Sequence, residues 1–419
     1  MATFFLIIIY LAFISLGLPD SLLGAAWPVM RPDFRAPLDT AGMLFMIVAA
    51  GTIVSSLASG AVLKRFGTGK VTLVSCLMTA GALLGFSLSP SLFWVILCTI
   101  PLGLGAGSVD AGLNNYVAAH YKAHHMSWLH CFWGVGATLG PIIMAGFISG
   151  GTSTWRDGYL TVSLIQFALV VILLFTLPLW DRVARSGGAN SAGKQEESAG
   201  SPEGDDDGRP PDNPLRIGGV KLALVSFLFY CGVEATVGLW GSSYLVNEKG
   251  LSASLAAQWV SIYYAGITIG RFITGFITFK LSNRTLIRGG QAIALAGAAL
   301  LVLPLPAGAS LAGFLIIGLG LAPIYPCMLH ETPVRFGKKH AQTIMGYQMA
   351  VAYTGSTFMP PLLGFVASRT TMGMFPFYVV LSALAMLLFS ERLNAFLKKR
   401  NELRGQAAPA SSTLHGKEV

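Results

Sequence analysis

Charge is what this chain has least of. Only 11% of its 419 residues are Asp, Glu, Lys or Arg, against about 25% in soluble domains. Apolar residues make up 53%, and the mean hydropathy is +0.64. That balance excludes an ordinary water-soluble globule. Cysteines are few: Cys76, Cys98, Cys131, Cys231 and Cys327 all lie in apolar stretches, and none has CxxC spacing. A disulfide framework and a zinc site are therefore not expected, and the five are read as small buried side chains. A Walker loop is missing. Gly103-x-Gly105-x-Gly107 resembles a piece of one, but no strand leads into it, and inside an apolar helix its glycines serve packing. Neither ATP-driven work nor a cofactor nor an enzyme reaction is expected. A basic n-region and an A-x-A site are also missing, so the first apolar run is expected to be a retained helix. The formal charge of +9 would suggest nucleic acid in a soluble protein, but here the basic residues follow the ends of apolar segments. His120, His124 and His125 are read as a solvated loop cluster and not as metal ligands.

What the chain has is apolar runs long enough to cross a bilayer, for which about 20 residues suffice. Twelve are expected: 3–30, 40–63, 71–89, 92–118, 127–149 and 158–181, then 218–246, 253–280, 285–304, 308–330, 341–367 and 372–393. The fold class is therefore an all-α membrane protein. Two six-helix bundles, 1–182 and 218–397, are expected to flank a disordered linker, 183–217, which is rich in Gly, Ser, Pro and acid. Residues 398–419 read as a disordered tail. If both termini are cytoplasmic, the short inner loops hold Lys64, Arg65, Lys70, Lys122, Lys280, Arg284, Arg288, Arg335, Lys338 and Lys339. The outer loops hold only Arg31, Arg35, Arg156, Lys249 and Arg369. The positive-inside rule favours this orientation, in a cell membrane.

Three acids lie within the apolar runs: Asp20, Asp110 and Glu234. A charge at mid-bilayer costs roughly 2.5–3.5 kcal/mol, so such residues usually face a cavity and serve a task. Asp20 follows Pro19, which interrupts the backbone ladder, and sits about 24 Å along helix one at 1.5 Å per residue. A cavity-facing acid there can take up and release a proton; the plain alternative is an acid that caps broken backbone. Glu234, flanked by Gly232, Gly238 and Gly241, can do the same or can hold the halves together. Asp110 and Asn114 share a helical face roughly 27 Å along helix four. His130 is expected at that level, giving a polar cluster for proton transfer or for an inner gate in which Asp110 meets Lys64 or Arg65. Arg271 is read as a structural or gating partner of an acid. Trp240 and Tyr244 share a face and can stack on a sugar or sit in an aromatic belt. Tyr264, Gln258 and Gln348 can bond hydroxyls or act as interhelical glue.

The halves repeat. Asp20 and Glu234 stand 214 residues apart. Gly60 and Gly275, Gly103-Leu-Gly105 and Gly318-Leu-Gly320, and Gly136-Ala-Thr-Leu-Gly-Pro141 and Gly355-Ser-Thr-Phe-Met-Pro360 follow in order at nearly the same offset. A six-plus-six repeat is the layout of major facilitator transporters. The loop Gly60-xxx-Lys64-Arg65-x-Gly67-xx-Lys70 resembles the signature of that superfamily. The family usually has Asp where Lys64 stands, so the usual Asp-centred gate lacks its acid. Gly103-x-Gly105-x-Gly107-xx-Asp110-xxx-Asn114-Asn115, Leu129-His130, Gly134-x-Gly136-xxx-Gly140-Pro141, Gly232-Val-Glu234 and Ala322-Pro323-Ile-Tyr-Pro326 together resemble the fucose-permease-like branch.

That resemblance implies a proton-coupled sugar symporter working by alternating access, with Asp20, Glu234 and Asp110 in proton coupling. Taken with the readings of the individual side chains above, substrate contact is expected from Asp20, Asn114, Asn115, His130, Glu234, Trp240, Tyr244, Tyr264 and Gln348, and gating from Lys64, Arg65, Asp110 and Arg271. Sodium in place of protons stays open, as do export of a cationic or amphipathic compound and a transport-dead sensor or scaffold.

Overall fold

The computed structural model describes residues 2–120, 123–149, 154–191, 213–278 and 280–407. The described residues are almost entirely helical. The first half holds α1 (Ala2–Asp20), α2 (Leu22–Phe34), α3 (Thr40–Phe66), α4 (Thr68–Leu88), α5 (Leu92–His120), α6 (Ala123–Ile148) and α7 (Trp155–Ser191). After a 3-10 turn at Pro214–Arg216, the second holds α8 (Val220–Lys249), α9 (Ala253–Ile277), α10 (Asn283–Val302), α11 (Ala307–Leu321), α12 (Ile324–Phe336), α13 (Lys338–Arg369) and α14 (Met374–Ala407).

Two of the twelve expected crossings are broken. The first divides into α1 and α2 at Ser21, directly after Pro19 and Asp20. The tenth divides into α11 and α12 at Ala322-Pro323. Proline cannot donate to the helical ladder, and a nearby polar group must answer the freed carbonyls. The carbonyl that Pro19 leaves without its helical donor is that of Ser15, and Gln166 Nε2 of α7 donates to it at 2.7 Å; at the break itself the Ser21 hydroxyl donates to the Leu18 carbonyl at 3.4 Å.

Eleven crossings among the described residues are long and apolar enough for a membrane. The twelfth, α13, has the length but carries Tyr353, Thr354, Ser356, Thr357 and two prolines along its middle. Large apolar side chains such as Leu57, Phe175 and Phe276 are exposed, a surface suited to lipid and not to water.

Several boundaries differ from the sequence-based expectation. Helix α7 runs on to Ser191 and α14 to Ala407, past the expected limits at 182 and 397. The rest of the expected linker up to 212, and the tail from 408, lie outside the described residues. The turns at Gly67 and Gly337 are single residues between helices, at φ of 80° and 87°, a region open to glycine without strain.

The two ends of the bundle differ. At the end carrying Arg31, Trp155, Lys249 and Arg369, one apolar core includes both halves: Trp27, Met30 and Leu44 join Val237, Trp240 and Leu363. A Cβ on Gly24 would stand 2.3 Å from the Gly238 carbonyl oxygen, and one on Gly42 would stand 2.8 Å from Pro361 Cα. The Ser254 hydroxyl of α9 donates to the Ala145 carbonyl of α6 at 2.8 Å. At the opposite end, where Phe5, Tyr116 and Trp180 pack, the core belongs to the first half alone. The second half has its own core there, around Val220, Phe336 and Leu393. One apolar core joins the halves at the distal end, and each half has its own core at the end bearing Phe5 and Leu397.

Candidate functional site

The site lies between the halves, where α6 meets α9 and α2 meets α8. Asp20, at the break after α1, has an exposed side chain although it sits mid-span. Its Oδ2 accepts a hydrogen bond from Trp133 Nε1 of α6 at 2.8 Å. The Trp133 ring carries the Arg271 guanidinium of α9 over its face, 5.4 Å from the centroid. Arg271 Nη2 in turn donates to Glu234 Oε1 of α8 at 3.0 Å, and both side chains are largely buried, at 13% and 17% exposure. Tyr263 donates to the Glu234 backbone carbonyl at 3.0 Å. Asp20, Trp133, Arg271 and Glu234 thus form one contact chain from the first half into the second.

Rings enclose this chain. Tyr264 lies edge-on to Trp133 at 6.4 Å, and Tyr263 adjoins it at 5.0 Å. Tyr325 of α12 faces His130 across the halves at 6.5 Å and is flanked by Phe227 and Tyr230. His130 also meets Phe13 edge-on at 6.0 Å. Aromatic faces with a few convergent polar groups make up a small-molecule site.

The expected site residues are not all here. Asp110 accepts from Asn114 Nδ2 at 2.8 Å. No ion pair joins it to Lys64 or Arg65 among the described residues; both of those are exposed, and Arg65 lies over Phe66. The apolar cores of the two halves are separate at that end. His130 does not bond Asp110; it faces Tyr325, which is itself within electrostatic reach of Asp110.

Glu234 does not face Asp20 directly, because Arg271 takes it as a partner. Trp240 is fully buried and donates to the Pro360 carbonyl at 2.7 Å. Tyr244 donates to the Leu301 carbonyl at 3.1 Å and stacks on Phe375. Gln348 is buried and accepts from the Thr332 hydroxyl at 2.9 Å. These three hold the second half together and do not line the cluster. Gln258 is exposed near the distal end of α9. His125 is not a free loop residue: it pairs with Tyr10 Oη at 3.0 Å. The side chains of Asn115, His120 and His124, and the whole of Lys122, lie outside the described residues. Trp133 is the member that sequence reasoning passed over. Its one signal was an aromatic residue one turn beyond His130 on a glycine-rich helix.

A helical bundle of membrane length in two repeated halves, with charged groups held between them at mid-span, defines a multi-pass membrane transport protein. The chain belongs to the Major Facilitator Superfamily, whose sequence profile it matches over residues 9–360. It is 24% identical over 277 residues to the Saccharomyces cerevisiae bypass of stop codon protein 6, covering 64% of this chain and 55% of that one; the match thus spans about half of that relative. It is 23% identical over 371 residues to the Bacillus subtilis glucose/mannose transporter GlcP, covering 86% and 88%. It is also 23% identical over 284 residues to the Acinetobacter baylyi cis,cis-muconate transport protein, covering 66% of each. Among solved structures, a D-xylose-proton symporter superposes with a TM-score of 0.69 at 14% identity, over 92% of this chain and 97% of that one.

Proposed function

We propose that this protein carries a small uncharged polar solute, a sugar, together with protons across a cell membrane by alternating access, and leaves the solute chemically unchanged. The observation that carries this reading is the unequal balance of charge at the site. Arg271 is already matched by Glu234, whereas Asp20 is exposed and has an indole, not a cation, as its partner. A carboxylate solute such as a muconate or a benzoate needs an unpaired cation to receive it, and the cluster offers none among its described side chains. A sugar needs acceptors for hydroxyls and ring faces for its apolar side. Asp20, the Asp110–Asn114 pair, His130, Tyr264 and Tyr325 supply them.

Proton coupling is supported by Asp20 standing without an ion-pair partner, so that neutralising it breaks no salt bridge. The sugar-transporter name of the Bacillus relative agrees with this choice. Alternating access is supported by the fused distal core and the separate cores at the other end. The bundles 1–182 and 218–397 are the bodies that move, joined through 183–217. The distribution of basic residues favours cytoplasmic termini, on the side where the two cores are separate.

The test is a proteoliposome panel of neutral sugars, aromatic carboxylates and organic cations, each with a proton gradient, a sodium gradient or none. Accumulation of a sugar driven by protons alone is expected. Uptake confined to carboxylates would overturn the reading. The second reading, transport of an organic cation, is favoured by the same exposed Asp20 and nearby Asp110, and proton-driven counterflow of cations alone would select it.

A further inference from the structure

The Asp20–Trp133 and Arg271–Glu234 contacts meet on one indole, and that indole lies where the two halves touch. Helices α1 and α6 run backbone against backbone. A Cβ on Gly136 would stand 2.1 Å from the Ile14 carbonyl oxygen, and one on Gly17 would stand 2.1 Å from the carbonyl oxygen of Trp133 itself. Contacts this close fix the Trp133 backbone relative to Asp20, whatever the halves do to each other. On its other side, Gly134 lets α9 approach until an added Cβ would stand 2.3 Å from Thr268 Oγ1. Arg271 follows Thr268 by one turn on the same face, which brings its guanidinium over the Trp133 ring. Trp133 is therefore held to the first half by its backbone and N–H, and touches the second half with its ring face.

We propose that Trp133 is a positioning residue that passes the charge state of Asp20 to the Arg271–Glu234 pair, so that a proton bound in one half is felt in the other. The inference rests on the proton-coupled reading above. A carboxylate accepts a charge-assisted hydrogen bond, roughly twice as strong as a neutral one. A proton from cavity water that binds an Asp20 oxygen forms one O–H bond and removes the negative charge. The Trp133 N–H is then held less tightly, its ring is free to turn, and the guanidinium loses the face it rests on. A cation is attracted to the face of an indole, and more so when the contact is shielded from water, so losing that face biases the two halves toward a different arrangement. The charged or titratable groups that act on Asp20 are Asp110 of α5 and Tyr264 of α9; Arg271 of α9 and Glu234 of α8 lie beyond the Trp133 ring, with His130 of α6 near Arg271. Trp133 is in contact with both Asp20 and Arg271.

The experiment compares the parent, Trp133→Phe and Asp20→Asn. Phe keeps a ring under Arg271 and removes the N–H. Tryptophan emission is titrated against pH in lipid nanodiscs, and D-glucose accumulation and exchange are measured in proteoliposomes. The parent's emission is expected to shift as pH falls, and both variants to lose that shift. In Trp133→Phe the ratio of gradient-driven accumulation to exchange should fall about tenfold, and the pH profile of exchange should flatten. A Trp133→Phe protein with the parental ratio and profile would show the indole to be packing only, and would overturn the inference. If Asp20→Asn keeps full accumulation, the coupling reading fails first. If Asp20→Asn loses it while Trp133→Phe does not, the inference about Trp133 falls alone. Should glucose not be carried, the emission titration of Asp20→Asn decides, since it keeps Trp133 as the reporter: a parental pH shift that persists in it overturns the relay, and its loss supports it. Should Trp133→Phe fail to assemble, Trp133→Tyr, which keeps the ring and displaces the donor, is read in the same way.

Discussion

Asp20 and Glu234 occupy equivalent places in the two halves, yet they keep different company. Glu234 is largely buried beside a guanidinium at 3.0 Å. Asp20 is exposed, and an indole N–H meets it at 2.8 Å. A matched pair of charges costs much less in a low-dielectric span than either charge alone, and removing one member strands the other. An acid with no counter-cation can lose its charge without stranding anything. Two acids at matching offsets thus have different neighbours: Glu234 ties α8 to α9 through Arg271, and Asp20 meets only an indole N–H, as the proposed proton coupling requires. That division is specific enough to break.

The largest effect should come from breaking the anchored side. Arg271→Met leaves Glu234 charged and unpaired in the span, which should cost about 3–5 kcal/mol of stability. Thermal unfolding in detergent, or denaturant titration, reads it. The double variant Arg271→Met with Glu234→Gln should recover most of the loss. A single variant as stable as the parent would mean that the pair is cosmetic.

Next comes the free acid. Asp20→Asn should lower proton-driven accumulation about a hundredfold while exchange at equal concentrations survives better. Stability should change little, because no ion pair is broken. Equal damage to accumulation and exchange would instead make Asp20 a binding residue with no part in coupling. The two variants together are the sharpest comparison: one should lose stability first, the other coupling first.

A third variant addresses the difference between the two ends of the bundle. Gly24 lets α2 touch α8, and an added side chain would collide with the Gly238 carbonyl oxygen at 2.3 Å. Gly24→Val should hinder distal closure. A cleft of about 420 Å³ lies at that end, bounded by Arg31, Leu38, Asn247, Glu248 and Thr371. A cysteine placed at Thr371 should then react about tenfold faster with a membrane-impermeant maleimide. An unchanged rate would mean that the distal end closes without the Gly24 contact.

Much of the fold could be read in the sequence because a bilayer leaves the chain few choices. Apolar runs of fixed length must be helices, and glycines at a constant offset disclosed the repeat. Pro19 did signal an interrupted ladder, but the local pattern alone does not tell a kink from a full break, and the second break at Ala322-Pro323 was not read as one. The site was less legible. Arg271 could be assigned to some acid, yet its pairing with Glu234 depends on the rotation of α9 against α8, and side-chain direction across two helices is not written in spacing. Trp133 was invisible for the same reason: an aromatic residue on an apolar helix is ordinary until the structure puts its N–H on a carboxylate.

Trp240 gives the opposite lesson and the smallest expected effect. Sequence spacing paired it with Tyr244 as a candidate platform for a sugar. The structure gives its N–H to the Pro360 carbonyl at 2.7 Å and leaves the ring no exposed surface, while Gly364 packs so closely that a Cβ there would be 2.5 Å from the indole. Two indoles in one protein thus use the same donor differently, Trp133 on a charged group that can change and Trp240 on a backbone oxygen that cannot. Trp240→Phe should therefore cost about 1 kcal/mol in unfolding stability, the usual worth of one hydrogen bond. It should leave the KM for a transported sugar and the accumulation ratio at parental values. A raised KM with unchanged stability would return Trp240 to the binding site, and would show that the cavity reaches deeper into the second half in another conformation.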